Sequence, residues 1–222
     1  MMVFDLETYA DHTAIEFLAE PEAPSNYKNQ DAIDKYKAEA RVKQIASMAL
    51  DPTTCRIVAI GVAVGDTVSV TVCPDVEVER TALARFWDAF DTTRHTIHDG
   101  RDYSVDVSRA SDVVGFNCAG FDLPVLLTRS CILGVPAPKI LLRKYGSPDC
   151  RDLMLELSLG GMLPFKSLNF WCKRLGLAVP EDQTSGKDMA ALVEAGEWTG
   201  VAKHCEVDVR KTLRLAEYLN RL

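Results

Sequence analysis

Two acidic residues lie inside a short apolar stretch near the start of the chain, VFDLET at residues 3–8. The apolar residues of this stretch favour a β-strand, and alternate residues of a strand point to the same face. Asp5 and Glu7 would therefore lie close together, where like charges repel. A divalent cation removes this conflict, because carboxylate oxygens are ligands for Mg²⁺ and Mn²⁺. A solvated strand end with two acids is the alternative, since so short a motif also occurs by chance.

Two later stretches supply further acidic residues. In VVGFNCAGFDLPVL, residues 113–126, a predicted strand is followed by a helix that begins near Asp122. In VAKHCEVDVRKTLRL, residues 201–215, His204 and Asp208 are four apart and would share one face of a helix. A lone charge among apolar neighbours is costly. Shared metal ions would account for all four carboxylates together.

Three motifs, FDLET, NCAGFD and HCEVDV, occur in this order along the chain. Together they resemble the DEDD superfamily of 3′→5′ exonucleases, which has an RNase H-like fold. The sequence around them is most similar to the exonuclease domain of family-B DNA polymerases and its stand-alone relatives. Further similar stretches are CRDLMLELS at 150–158, SLNFWCKRLGL at 167–177 and GKDMAALVEAGEW at 186–198. The resemblance covers most of the chain, and residues 10–54 match least.

The resemblance implies a two-metal hydrolysis of phosphodiester bonds that releases nucleoside 5′-monophosphates from single-stranded 3′ ends. By this analogy Asp5, Glu7 and Asp208 hold the ion that activates water, and Asp5 also contacts a second ion. Asp122 would support the site through water. The implied cofactors are two divalent cations, Mg²⁺ or Mn²⁺, and the implied metal ligands are Asp5, Glu7, Asp122 and Asp208. We expect DNA rather than RNA as the substrate.

The fifth implied catalytic residue, His204, departs from the family pattern. One branch has a Tyr before the last Asp with three residues between them, and another has a His with four between. Here three residues separate His204 from Asp208, so the histidine occupies the position of the tyrosine. An imidazole titrates near neutral pH and could take a proton from the attacking water. The alternative is an ordinary helix residue and an impaired enzyme.

The implied nucleic-acid contacts are Leu6, Thr8, Asn117 and Phe121. Phe121 could stack on the terminal base, which tolerates any sequence, or pack in the core. Upstream phosphates could meet the basic side chains of Lys166, Lys173, Arg174 and Lys187, although such residues are more often solvated surface charges.

Length and pattern indicate one α/β domain over residues 1–222, with an insertion at about 10–54 that carries its own helix. The resemblance implies an RNase H-like mixed sheet of about five strands flanked by helices. Residues 3–8 and 112–117 are predicted strands. Residues 56–72 are predicted to form a hairpin that turns near Gly65-Asp66. A short strand that runs into a helix is predicted within 149–159. Predicted helices are 31–50 with Asp31 as a candidate cap, 79–90, part of 119–134, 167–177 and 199–221, and residues 10–30 and 91–111 are predicted loops.

Composition excludes several classes of protein. The chain has no apolar run of about 18 residues, which a membrane span needs, and no signal-peptide pattern. Its seven cysteines form no C-x-x-C pair, so we expect reduced thiols in a cytoplasmic protein. A net charge of −7 argues against a protein that coats nucleic acid by charge alone. The excess acid lies in residues 1–100, which hold 9 Lys and Arg against 17 Asp and Glu.

Two other functions remain open at this stage. One is a nucleic-acid-binding protein that has lost catalysis, and the other is a metal-dependent endonuclease or phosphatase on the same fold. The expected partners are single-stranded DNA or RNA 3′ ends, with replication or repair proteins as candidate protein partners.

Overall fold

The structure is a computed structural model of the chain. It describes residues 1–95, 112–143, 146–181, 184–186 and 188–221. Most of the predicted 91–111 loop and the candidate phosphate contact Lys187 lie outside these residues.

A mixed five-stranded sheet forms the centre of the protein. Its strands are β1 (Met2–Ala10), β2 (Cys55–Val64), β3 (Thr67–Val72), β4 (Val113–Gly115) and β5 (Arg151–Asp152). They lie in the order β3-β2-β1-β4-β5. β2 runs antiparallel to both of its neighbours, β1 and β3, whereas β4 and β5 run parallel to β1. The predicted RNase H-like α/β fold with a mixed sheet is confirmed.

Helices flank this sheet. They are α1 (Gln30–Ser47), α2 (Val76–His95), α3 (Asp122–Leu133), α4 (Leu153–Leu157), α5 (Leu168–Arg174), α6 (Met189–Glu194) and α7 (Trp198–Leu219). Sequence patterning did not predict α6 as a helix. Among the residues that the structure describes, no helix is both long and apolar enough to span a bilayer.

The two faces of β1 pack against different helices. Met2, Phe4 and Leu6 belong to a buried cluster with side chains of α2 and α3. Val3 belongs to a second cluster, which contains residues of α5 and α7. Because alternate strand residues share a face, Asp5 and Glu7 lie on the Val3 side, toward α7.

Close contact between α7 and the sheet depends on a glycine in β2. A Cβ atom at Gly61 would lie 2.6 Å from Cγ2 of Val209 and 2.7 Å from Sγ of Cys205. Only a residue without a side chain lets the helix approach this closely. The position of α7, and of the functional residues that it carries, is therefore set in part at Gly61.

The segment between β1 and β2 carries the predicted helix, α1, together with 3-10 helices at His12–Phe17 and Met48–Leu50. Asn29 caps α1 by accepting a hydrogen bond from the amide of Ala32, so the predicted cap Asp31 instead lies in the first turn. None of the residues of α1 is fully buried. Arg41 anchors the helix by donating to the carbonyl of Ile15 and the side chain of Gln44.

A buried ion cluster holds the start of this segment. The guanidinium of Arg129 on α3 donates to both carboxylate oxygens of Glu79 on α2, at 2.7 and 2.8 Å, and to Asp11 at 2.7 Å. Burial opposes ionisation of Asp11, but hydrogen bonds from Thr13 and Arg129 leave its pKa below the ordinary value. The cluster therefore joins two helices to the chain just beyond β1.

Candidate active site

A cavity of about 310 Å³ opens where β1 faces α7. Its lining residues are Asp5, Leu6, Glu7, Asn169, Thr184, Ser185, Gly186, His204, Asp208 and Lys211. Strand alternation brings the two acids of β1 to this cavity, and helical spacing brings His204 and Asp208 to it from the opposite side. The structure therefore places four of the five predicted catalytic residues around one space.

Asp5 and Glu7 form the tightest group of candidate ligands, together with Cys205. One ligand atom from each of the three lies within 4.8 Å of the others. The thiol of Cys205 also donates a 3.8 Å hydrogen bond to the carbonyl of Asp5. Burial raises the pKa of the Cys205 thiol, and the surrounding carboxylates raise it further. In the metal-free protein, Cys205 is therefore held as the neutral thiol beside the two carboxylates.

The carboxylate of Asp5 is poorly stabilised in its charged form. Burial raises its pKa well above the usual range, and the negative charges of Asp122, Glu7 and Asp208 raise it further. The positive charge of Lys211 acts in the opposite direction. A bound cation would favour the charged carboxylate, because opposite charge stabilises the ionised form.

Asp122, at the first position of α3, does not line the cavity. It is 5% exposed, and its Oδ1 accepts a 3.2 Å hydrogen bond from the amide of Leu6. Burial raises the pKa of Asp122 to about 7, and Asp152 adds to the rise against the lowering effect of the Leu6 amide. Asp122 is thus bonded to the backbone of β1 at Leu6, the residue between Asp5 and Glu7.

Asp152 fixes the loop that leads to Asp122. Its carboxylate accepts hydrogen bonds from the amides of Asn117 and Ala119, at 2.9 and 3.0 Å, and also caps α4. Asn117 has a positive φ of 61°, which asparagine tolerates better than most residues. The similarity of the stretch at 150–158 was the only sequence feature that pointed to Asp152.

On α7, three side chains form one stripe. His204 is 6% exposed, and its Nε2 lies 3.8 Å from Oε1 of Glu7. Asp208 Oδ1 accepts a 2.8 Å hydrogen bond from Nζ of Lys211, one turn further along the helix. Spacings of four and three residues keep all three on the face that lines the cavity.

Of the four predicted nucleic-acid contacts, one lines the cavity and three do not. Leu6 lines the cavity. The hydroxyl of Thr8 donates to the carbonyl of Ala49 at 2.7 Å, so it ties β1 to the end of the insertion. Phe121 is partly buried and packs against the cluster under α2 and α3, which is the core-packing alternative. Neither Phe121 nor Asn117 lines the cavity.

The donor set fits a hard divalent cation. Asp5 and Glu7 offer oxygen atoms on one face of a strand, within the distance that one ion can bridge. Carboxylate oxygens are the donors that Mg²⁺ and Mn²⁺ prefer. Burial and the neighbouring negative charges both disfavour the charged form of Asp5, and a bound cation would offset both.

A family model described as a predicted 3′-5′ exonuclease related to the exonuclease domain of PolB matches residues 48–219. This chain belongs to that family. The match spans β2 to α7 and includes Asp122, His204 and Asp208. It does not include β1, so Asp5 and Glu7 are assigned to the site by geometry alone.

The chain is also similar to one curated protein in sequence and to one solved structure in fold. An uncharacterized protein of Methanocaldococcus jannaschii is 30% identical over 183 residues, which are 79% of this chain and 92% of that protein. The family B DNA polymerase of Pyrobaculum calidifontis has a similar fold, with a TM-score of 0.58 and 19% identity. That alignment covers 99% of this chain and 24% of the polymerase.

Sequence analysis missed several residues of the cavity. Asn169 on α5 and the segment of Thr184, Ser185 and Gly186 line it but carry no chemical motif. Lys211 was missed as well, although its position three residues after Asp208 placed it on the same helical face. Its burial was the feature that the sequence did not show.

Proposed function

We propose that this protein is a metal-dependent 3′-5′ exonuclease. It hydrolyses single-stranded nucleic acid, DNA rather than RNA, and releases nucleoside 5′-monophosphates. The observation that carries the proposal is the convergence of Asp5, Glu7, His204 and Asp208 on one cavity in a member of a predicted exonuclease family.

Asp5, Glu7 and Asp208 would hold divalent cations, Mg²⁺ or Mn²⁺, two of them as the family resemblance implies. When bound, these ions supply positive charge for the incoming phosphate and lower the pKa of a water molecule. Without them a phosphate would meet a cluster of acids, and binding would be repelled. Asp122 supports the site through the backbone of β1.

His204 takes a proton from the attacking water. Its Nε2 lies 3.8 Å from Oε1 of Glu7, so the ring faces the carboxylates of the cavity, where a general base must be. The low exposure of His204 keeps the ring at the cavity wall. Leu6, which lines the cavity, and the backbone next to Thr8 contact the terminal nucleotide.

Degradation of end-labelled single-stranded DNA and RNA, with and without Mn²⁺ or Mg²⁺, tests the proposal. Asp5→Ala and Asp208→Ala should each remove nearly all turnover, because each loses a carboxylate that faces the cavity. Far-UV circular dichroism should show that both variants remain folded. Full activity in EDTA would contradict the proposal, as would wild-type activity in both variants.

One observation favours an alternative, a nucleic-acid-binding protein of this fold with impaired catalysis. It is the histidine at the position where the resembled branch has tyrosine. Oligonucleotide binding without release of mononucleotides in any divalent metal would support this alternative. An oligonucleotide with a blocked 3′ end tests for an endonuclease, since only an endonuclease would cut it internally. We further propose a cytoplasmic location and replication or repair proteins as partners.

A further inference from the structure

Exposed apolar side chains are concentrated between α4 and α5 and on the first turn of α5. In the described part of the chain, fourteen large apolar side chains are exposed, and five of them fall within residues 159–170. A concentration of this kind is typical of a binding surface. Together with the neighbouring Lys166, these five form what we call the α4–α5 surface: Leu159, Met162, Leu163, Phe165, Lys166 and Phe170.

Hydrogen bonds hold the backbone of this segment. The amide of Leu163 donates to the carbonyl of Ser158 at 2.9 Å, and the amide of Gly161 donates to Ser158 Oγ at 3.1 Å. Leu159 adopts a left-handed φ of 52°, which is uncommon for a residue other than glycine. The apolar side chains are therefore exposed on a defined turn.

Two neighbours orient the ring of Phe170, which is 42% exposed. Its centroid lies 5.4 Å from that of the Trp171 ring, with the ring planes at 83°. Nζ of Lys166 lies 5.6 Å from the centroid of the same ring. Single-stranded nucleic acid binds to this combination, because bases stack on aromatic rings and basic side chains follow the phosphates.

The charge of this part of the chain differs from that of the whole. Residues 157–180 contain no Asp or Glu and three basic residues, Lys166, Lys173 and Arg174. All three are exposed. Because the whole chain has a net charge of −7, a polyanion is attracted here although the protein as a whole repels it.

The α4–α5 surface adjoins the candidate active site. Asn169, which lines the cavity, directly precedes Phe170 in the first turn of α5. A strand whose 3′ end lies in the cavity therefore has α5 beside it, and its upstream nucleotides meet the exposed ring and the basic side chains there.

We infer that the α4–α5 surface binds the upstream part of the single strand, with bases stacked on Phe165 and Phe170 and a phosphate paired with Lys166. The inference rests on the proposed exonuclease function and deepens it, because it names the surface that holds the substrate behind the reacting nucleotide. A protein partner is the other occupant that an apolar surface admits. The basic residues and the adjoining cavity favour nucleic acid.

Binding of a fluorescein-labelled oligo(dT) of about 12 nucleotides, within the usual site size, tests the inference by fluorescence anisotropy. Ca²⁺ as the cation and phosphorothioate linkages at the 3′ end limit hydrolysis. Phe165→Ala and Phe170→Ala should each raise Kd about five-fold or more, the loss expected for one stacked base. Phe170→Trp should bind as wild type does, whereas Phe170→Leu, which is apolar but has no ring, should bind as weakly as Phe170→Ala.

Lys166→Gln should also raise Kd, and it should reduce the slope of log Kd against log salt concentration by about 0.7, the value for one phosphate contact on a single strand. 2-Aminopurine in place of successive bases locates the stacked nucleotides, because stacking quenches its fluorescence. Phe170→Ala should restore this fluorescence at an upstream nucleotide and not at the 3′-terminal one.

Two variants on the helices that pack against the other side of the sheet are matched controls. Ile132→Ala on α3 removes an apolar side chain that is 54% exposed, and Arg85→Gln on α2 removes an exposed positive charge. Both should bind the oligonucleotide as wild type does. Melting temperatures show whether each variant is folded, and if Phe170→Ala is not, Phe165→Ala and Lys166→Gln provide the test.

Wild-type Kd and salt slope in Phe165→Ala, Phe170→Ala and Lys166→Gln would overturn the inference and favour a protein partner for this surface. Wild-type binding by Phe170→Leu would overturn base stacking on that ring. Both results would leave the proposed exonuclease intact, because the residues of the cavity are unchanged in these variants. Failure of wild type to bind the oligonucleotide would instead contradict the proposed function, and the inference with it.

Discussion

The backbone amide of Leu6 donates a hydrogen bond to Oδ1 of Asp122, 3.2 Å away, although the two residues are 116 positions apart. The bond exists because β4 ends at Gly115 and pairs with β1 only at Met2 and Val3. Within the described part of the chain, no strand pairs with this edge of β1 beyond Val3. The first residue of α3 satisfies the free amide and thereby brings a third carboxylate to β1.

Asp122 should make the stability of the metal-free protein depend on pH. Its pKa in the folded protein is raised to about 7 from an ordinary value of 3.8. The folded state therefore favours the protonated carboxyl. The resulting stabilisation of the folded protein is complete below about pH 4 and is lost as the pH rises through about 7. In Asp122→Asn the melting temperature in EDTA should fall less between pH 5 and pH 8 than in wild type.

The amide of Asn can still accept the hydrogen bond from Leu6, so the variant changes charge more than shape. Asp66→Asn, in the exposed turn between β2 and β3, is the control and should follow the wild-type profile. Equal pH profiles for wild type and Asp122→Asn would refute the prediction.

Replacement of His204 should reduce turnover without preventing substrate binding. If the imidazole is the general base, His204→Ala should lose on the order of 10²-fold or more in kcat. His204→Tyr, which restores the residue of the resembled branch, should retain more activity than His204→Ala. Single-turnover kinetics at saturating Mn²⁺ measures this, and wild-type rates in His204→Ala would show that the residue is a bystander.

Gly61→Ala should displace α7 from the sheet. The new Cβ would lie 2.6 Å from Cγ2 of Val209, inside any permitted contact distance. Overpacking of this kind costs about 1–3 kcal/mol in the free energy of unfolding. Urea denaturation should show the loss, and kcat should fall because α7 carries His204 and Asp208.

Val209→Ala in the same chain removes the clashing methyl group and provides the control. The double variant should recover part of the stability and activity that Gly61→Ala loses. If Gly61→Ala alone matches wild type in both measurements, the close approach does not position the helix.

The basic side chains of α1 should affect binding of long substrates. We expect this helix to border the nucleic-acid path, because the insertion that carries it leaves β1 directly after Glu7 and Thr8. The alternative is a purely structural helix. Lys35, Lys37 and Lys43 are exposed, whereas Arg41 is engaged with Ile15 and Gln44. Replacing the three lysines with Gln should weaken oligonucleotide binding and reduce its salt dependence, while hydrolysis of a dinucleotide stays nearly unchanged.

Arg41→Gln alone tests the structural role. It should lower the melting temperature and leave the salt dependence of oligonucleotide binding nearly unchanged. Fluorescence anisotropy over a range of salt concentrations measures the binding. Wild-type affinity and salt slope in the triple variant would show that α1 serves stability only.

The local parts of the site were predictable from the sequence. Alternation along β1 was enough to put Asp5 and Glu7 on one face, and four-residue spacing was enough to align His204 with Asp208. These relationships depend on the repeat of one strand or one helix, which is fixed by backbone geometry. The hairpin at Gly65 followed from turn chemistry in the same way.

Contacts between distant segments were decided only by the tertiary structure. The sequence predicted that Asp122 supports the metal site, and the structure shows that its carboxylate also accepts a hydrogen bond from the Leu6 amide, a partner that no local pattern indicates. The hydroxyl of Thr8, a predicted substrate contact, donates to the carbonyl of Ala49, which is 41 residues away in the chain. The burial of Lys211 depends on how α5 packs against α7, and no local pattern encodes it. Local periodicity determines which face a side chain occupies, whereas its partner and its exposure depend on what the rest of the chain packs against that face.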